Sequence, residues 1–419
     1  MAAAAATDAP AVLAEDKASA AGQISGDVFG RAGHYVHPFV SGGYSYNDNI
    51  TNTRDNPESD TAWHVTPGIW LAVPGVKGEY AGISTSSFTP GGLAFDFERP
   101  AAFRRYQAYL LAGADLQRYL DHPEEDTTDS KVEGLFQYNF RGGLSANLAD
   151  QYYNGHDVRG TGISTELDKF TTNLATLVLT YDLSSKFALR ADLGNFDVNY
   201  DGARNDYRDR EDNALATYLY YKYSAKTALF LEYLFLDIAY DQDYGLDSRE
   251  HHVYGGLRWK LSDKSRGTLQ AGWVDKTFAA PGAGSQGEFS VSLSGSHNLS
   301  SKTSLSVSAA RRLVEPDMPG ASFSLSHSLS AGLNQQLTGK ISGSLSVSYT
   351  SQDYDSLLRY GAEMQQRSDK IYSLSPGVSY RLTRWLAARL SCSYTERDSN
   401  FDEFDYTGKS VMLSLGMEM

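Results

Sequence analysis

What this chain lacks narrows it before what it contains. Cys392 is the one cysteine among 419 residues, which excludes a disulfide framework, a paired-cysteine metal site and a Cys-x-x-Cys-His haem attachment. No apolar run approaches the roughly 18–20 residues that a transmembrane helix needs. Mean hydropathy is −0.40 and only 41% of residues are hydrophobic. Positive charge is in the minority, with 37 Lys and Arg against 51 Asp and Glu, and the net charge of −14 argues against nucleic acid as a partner. The nine histidines are scattered, only His251 and His252 are adjacent, and none has the His-x-x-x-His spacing of a helical metal site. Met1 to Ala6 carry neither the basic n-region nor the apolar h-region of a signal peptide, so the sequence is expected to be a mature or recombinant form.

What is there is a repeated alternation. Phe289, Val291 and Leu293 alternate with Ser290, Ser292 and Ser294; after a break at Leu299-Ser-Ser-Lys302, Leu305 and Val307 alternate with Ser304, Ser306 and Ser308. Period two places apolar side chains on one face and hydroxyls on the other. A break this short joins only an antiparallel hairpin. The same device recurs at Leu183-Ser-Ser-Lys186, Tyr223-Ser-Ala-Lys226, Leu261-Ser-Asp-Lys264, Leu337-Thr-Gly-Lys340 and Leu382-Thr-Arg384, its basic residues 38 to 44 positions apart. An unbroken array of such hairpins predicts an all-β fold, a transmembrane antiparallel up-and-down β-barrel of about 18–20 strands. Apolar faces meet lipid, polar faces meet a wet lumen, and closure satisfies the backbone. The 28 tyrosines, many at strand ends, suit interfacial girdles.

Two units follow from the pattern. Residues 1–32, Ala-rich and without a sustained period, are expected to form a flexible periplasmic segment, and 33–419 the barrel. The first strand is placed at His34 to Asn47. The second starts near Thr61 with Trp63, Val65, Pro67, Ile69, Leu71 and Val73 on one face, where Pro67 predicts a bulge or local distortion. Glu79 to Phe88 and Ala108 to Tyr119 read as strands, and a further strand near Leu93 to Arg99 gives about 20; one interrupted strand instead gives about 18. The last strand, Val411 to Met419, resembles a bacterial barrel assembly signal, though such signals usually end in Phe.

Parity assigns the lumen. Gln137, Asn147, Arg190, Asp192, Tyr218, Tyr220, Glu232, Arg258 and Lys260 fall opposite the lipid face in the earlier strands, with partners for Arg190 and Asp192 expected on adjacent strands. From Ser290 onward the inward residues are mostly small, including Ser326 and Ser346, which leaves space and exchangeable hydroxyls. Acidic runs, Glu124-Glu125-Asp126, Asp206 to Asp212, Asp241 to Glu250 and Asp398 to Asp405, fall in the longer loops. These are expected outside the cell as solvated tips, with divalent bridging to lipopolysaccharide phosphates the functional alternative. His327 and Cys392 share lipid-facing parity, and no nucleophile neighbours His327, so no catalytic, metal or cofactor residue is assigned and the chain is expected not to be an enzyme.

The stretches Ser59-Asp60 and Thr66-Pro67-Gly68-Ile69 with Leu71 resemble a bacterial outer-membrane β-barrel porin family associated with exopolysaccharide secretion loci. So do Leu116-Gln-Arg-Tyr-Leu-Asp-His122, Asp150-Gln151-Tyr152 and His156-Asp-Val-Arg-Gly160, while Thr89 to Phe103 departs from the pattern. The resemblance implies an outer-membrane location, exopolysaccharide export and periplasmic polysaccharide-export proteins as partners, beside the lipid bilayer and lipopolysaccharide that any such barrel meets. A general or substrate-selective diffusion porin, which should show an inward-folded loop, stays open. So does the barrel sheath of a porin–cytochrome electron conduit, which would need a wide lumen.

Overall fold

The computed structural model describes residues 35–73, 105–160, 166–262, 264–282, 284–360 and 363–418. They form one 18-stranded antiparallel sheet in sequence order, closed by pairing of the first strand with the last. The strands are β1 (Val36–Asn47), β2 (Asp60–Val73), β3 (Tyr106–Tyr119), β4 (Thr127–Asn139), β5 (Leu144–His156), β6 (Lys169–Asp182), β7 (Phe187–Tyr200), β8 (Arg210–Ser224) and β9 (Thr227–Tyr240). The second half holds β10 (Ser248–Ser262), β11 (Ser265–Phe278), β12 (Ser285–Ser300), β13 (Thr303–Val314), β14 (Ser324–Gln336), β15 (Ile341–Tyr360), β16 (Glu363–Arg381), β17 (Leu386–Ser399) and β18 (Tyr406–Glu418). The count is therefore the smaller of the two the sequence allows. The expected strands at Glu79 to Phe88 and Leu93 to Arg99, and the expected segment 1–32, lie outside the described residues.

The repeated Leu-Ser/Thr-x-Lys tetrads make the tight turns by one mechanism. The Ser184 hydroxyl accepts hydrogen bonds from the backbone N–H groups of Lys186 at 3.2 Å and Phe187 at 3.1 Å. Ser224 and Ser300 accept from Lys226 and Lys302, both at 3.1 Å, and Thr338 accepts from Lys340 at 3.2 Å and Ile341 at 3.0 Å. A short hydroxyl two residues ahead of an N–H satisfies a donor that the reversal would otherwise strand. All these turns lie at one end of the barrel, the short-turn end, where residues 74–105 also connect β2 to β3, and the loops of six to twelve residues lie at the other. The exception at the long-loop end is the close β15–β16 connection, whose strands are the longest in the sheet, at 20 and 19 residues.

Alternation sorts the two faces by solvent. On β7, Leu189 and Leu193 are 42% and 46% exposed on the outside, while Arg190 between them is 8% exposed inside. On β4, Val132 and Phe136 point out and Glu133, Leu135 and Gln137 are buried. The rule weakens on β9, where both faces are apolar: Leu229 and Leu231 are exposed, and Leu234, Leu236 and Ile238 are buried inside. Pro67 produces an interruption and no bulge. The ladder from β2 to β3 pairs Val65 with Leu116, skips Thr66 and Pro67, and resumes at Gly68 with Gly113 in unchanged register. Thr66 meanwhile donates its hydroxyl proton to Asp115 at 2.7 Å. Gly68 has a specific steric reason: a Cβ there would lie 2.1 Å from Cζ of Phe39, whose ring crosses the inner wall at that point.

Candidate transport lumen

The inner wall has two unlike halves. From β4 to β11 it is lined by bulky polar and aromatic side chains, mostly buried. Gln137, Asn147, Arg190, Asp192 and Glu232 are each less than a tenth exposed, Arg258 is half-buried, and Lys260 is exposed at the short-turn end. Arg190 and Asp192 are partners of one another, against the expectation of partners on adjacent strands. The Arg190 guanidinium grips the Asp192 carboxylate with Nε at 2.7 Å and Nη2 at 2.6 Å. Residues two apart on a strand share a face, so the pair closes along β7. Beside it Tyr218 donates its hydroxyl to Glu232 at 3.0 Å.

From β12 to β18 the wall is a lattice of hydroxyls. Cross-strand register aligns Ser294, Ser308, Ser330, Ser348, Ser373 and Thr395 as one tier across six consecutive strands. A second tier runs Ser296, Ser306, Gly332, Ser346 and Ser375. Adjacent strands are about 4.8 Å apart and tiers two residues apart about 7 Å. Ser294, Ser306, Ser308 and Ser346 are exposed. Ser326 is not part of this open surface: it is 0% exposed, near the long-loop end of β14.

The long-loop end is roofed by segments the alternation could not reveal. Residues 315–321, between β13 and β14, fold inward, with Glu315, Asp317, Met318 and Ala321 all buried. Glu315 is held by the Tyr240 hydroxyl at 2.7 Å and by the Lys276 ammonium, which also meets Glu250 at 3.0 Å. Tyr354 donates to the Asp317 carboxylate at 2.6 Å, and Tyr207 to its backbone carbonyl at 2.9 Å. From the other side, residues 157–160 reach across to β17, where Arg397 donates to the carbonyl of Gly160, and Asn52 donates to that of Arg159 at 3.0 Å. Asp157 and Arg208, both buried, join the two groups of loops at 2.9 Å. Burial pushes the Asp157 carboxyl above its ordinary range, and Arg208 offsets part of that rise. On the far wall Asp369 receives Arg367 at 2.9 Å and Arg397 at 2.7 Å.

Several residues of the acidic runs thus turn inward, against the expectation of solvated loop tips. Glu125 pairs with Arg159, Asp212 with Arg210 at 3.0 Å, and Glu250 with Lys276. The sequence mark of this roof is Glu315-Pro-Asp-Met-Pro-Gly320, where a methionine sits among loop residues with Pro316 before it and Pro319 after it.

A closed antiparallel sheet with an apolar exterior and a hydrophilic, hydroxyl-bearing interior defines a transmembrane β-barrel of the outer-membrane type. The model of the family described as "Putative beta-barrel porin 2" matches residues 93–419, and the chain belongs to that family. No curated protein matches it. Among solved structures it is similar to the siderophore receptor PirA from Pseudomonas aeruginosa, at 8% identity over 93% of this chain and 81% of that one, with a TM-score of 0.44. OpdQ from Pseudomonas aeruginosa is similar at 11% identity over 92% and 98%, with a TM-score of 0.45. The alcaligin outer-membrane receptor FauA from Bordetella pertussis is similar at 12% over 93% and 76%, with a TM-score of 0.40.

Proposed function

We propose that this porin-family barrel is an outer-membrane pore for a hydroxyl-rich carbohydrate, an exopolysaccharide strand leaving the cell, that moves along the serine wall. The observation that carries the reading is the tier of six aligned hydroxyl residues from Ser294 to Thr395. Hydroxyls donate and accept weakly at every step, so a neutral sugar chain exchanges partners without being trapped at one site. The strand would enter from periplasmic export proteins at the short-turn end and leave among lipopolysaccharide. Ser308→Trp and Ser346→Trp place bulk on the exposed wall. Both variants should form heat-modifiable barrels and lose surface polysaccharide; normal polysaccharide in the variants and in a deletion strain overturns the reading.

The inward segment 315–321 favours a second reading, a substrate-selective diffusion porin for short saccharides. That reading predicts faster small-solute entry when residues 316–320 are replaced by a short Gly-Ser link, and unchanged surface polysaccharide. A haem-protein sheath has less support, since the contacts at Gly160 and Asp317 carry chain segments across the long-loop end.

A further inference from the structure

We infer that the inner wall opposite the serine lattice carries a carbohydrate-binding subsite, a stacking platform formed by Tyr218 and Tyr220 of β8. The inference rests on the carbohydrate reading above and deepens it. The two rings lie with centroids 5.8 Å apart and planes only 15° from parallel, both half-buried on the lumen side. Sugars present apolar C–H faces and polar edges, so a site that holds them combines aromatic faces with nearby planar hydrogen-bonding groups.

Each ring is held by neighbours on the same wall. The Arg190 guanidinium lies 5.1 Å from the Tyr218 ring centroid, and its own direction is set by the two bonds to Asp192. Glu232 takes the Tyr218 hydroxyl proton in a 3.0 Å hydrogen bond. Phe230 of β9 supports Tyr220 at 5.6 Å, and its ring lies over Gly256 of β10, where an added Cβ would come within 2.1 Å of Cζ. Glycine at that position is what lets the phenyl ring lie down and carry the tyrosine. A surface ordered in this way loses little side-chain freedom on binding.

Position agrees with use. Tyr220 and Tyr218 stand four and six residues from the short-turn end of β8, which closes at Ser224. Ser308 and Ser346 stand five residues from the same end of β13 and β15, which begin at Thr303 and Ile341. In the ring of 18, where nine apart is diametric, β8 lies five strands from β13, seven from β15 and nine from β17, so the lattice spans the wall across the lumen from the platform. A sugar strand would rest its C–H faces on one wall and exchange hydroxyl partners with the other.

Equilibrium binding of maltohexaose, a linear neutral oligosaccharide, to the full chain refolded in detergent micelles tests the subsite. The wild type should bind. Tyr218→Ala and Tyr220→Ala should each weaken binding about tenfold, while Tyr220→Trp should retain or strengthen it in a barrel of unchanged heat-modifiability. Should an alanine variant fail to fold, Tyr220→Phe against Tyr220→Trp still separates ring area from the phenol. Binding unaffected by all tyrosine variants but lost in Ser346→Trp overturns the platform and leaves the carbohydrate pore standing. No binding by wild type overturns both.

Discussion

At the scale of single residues, the Arg190–Asp192 pair shows how an interior charge is held inside a membrane protein. Both side chains are 8% exposed, so each ion has exchanged water for its partner. Removing one member leaves the other buried and uncompensated, which costs about 3–5 kcal/mol, whereas replacing both by apolar groups costs much less. Asp192→Asn should therefore lower the urea midpoint strongly, and Arg190→Leu with Asp192→Leu should recover most of the loss. Ala191 between them faces the other way, and Ala191→Arg should cost about 2–4 kcal/mol at mid-bilayer. The same unfolding curves check both. Equal stability of the Ala191→Arg variant and the wild type would show that the outward assignment of β7 is wrong.

At the scale of elements, the loops are held by groups whose charge depends on pH. His122, in the loop between β3 and β4, bonds Asp60 at 3.0 Å, and that hydrogen bond raises its pKa. A histidine raised on folding contributes stability that is fully present below its ordinary value of about 6.5 and is lost as pH rises through the raised value. The backbone N–H groups of Asp121 and His122 both donate to Asp60, at 3.1 Å and 2.9 Å. Their hydrogen-exchange protection, corrected for intrinsic rates, should fall across that window and become flat with pH in His122→Gln. The inward segment 315–321 gives a second prediction at this scale. Glu315→Gln weakens the charged clamp on Lys276, so small-solute permeability should rise while the barrel remains heat-modifiable. Unchanged permeability would show that the segment does not limit passage.

At the scale of the whole molecule, the asymmetry of the two ends assigns an orientation. Short turns belong on the periplasmic side and long loops outside in barrels of this kind. Cys392 is half-buried on the membrane-facing wall and can be replaced by serine before labelling. In that background, cysteine at Lys226 or Lys302 should resist a membrane-impermeant maleimide on intact cells, and cysteine at Asp243 or Ala203 should react. The opposite pattern would invert the barrel and move the platform of Tyr218 and Tyr220 to the outer half of the lumen.

The strands, their facing and the short turns were legible in the sequence because each depends on neighbours one to four residues away. Alternation at Leu189-Arg190-Ala191-Asp192 sorts side chains between lipid and lumen, and Ser300 can reach only the N–H groups just beyond it. Family membership was legible too, and of the short motifs that suggested it those from Leu116 to Gly160 fall within the matched residues. Closure at 18 strands, the partner chosen by Arg190, the burial of Ser326 and the roof were decided only by the tertiary structure. Asp157 with Arg208, Gly160 with Arg397, and Glu315 with Lys276 are separated by 51, 237 and 39 residues (208−157, 397−160, 315−276). No local period encodes such pairs. Their energy depends on the low-dielectric interior formed when the sheet closes and the loops fall inward, and a charge becomes a clamp only once water has been excluded around it.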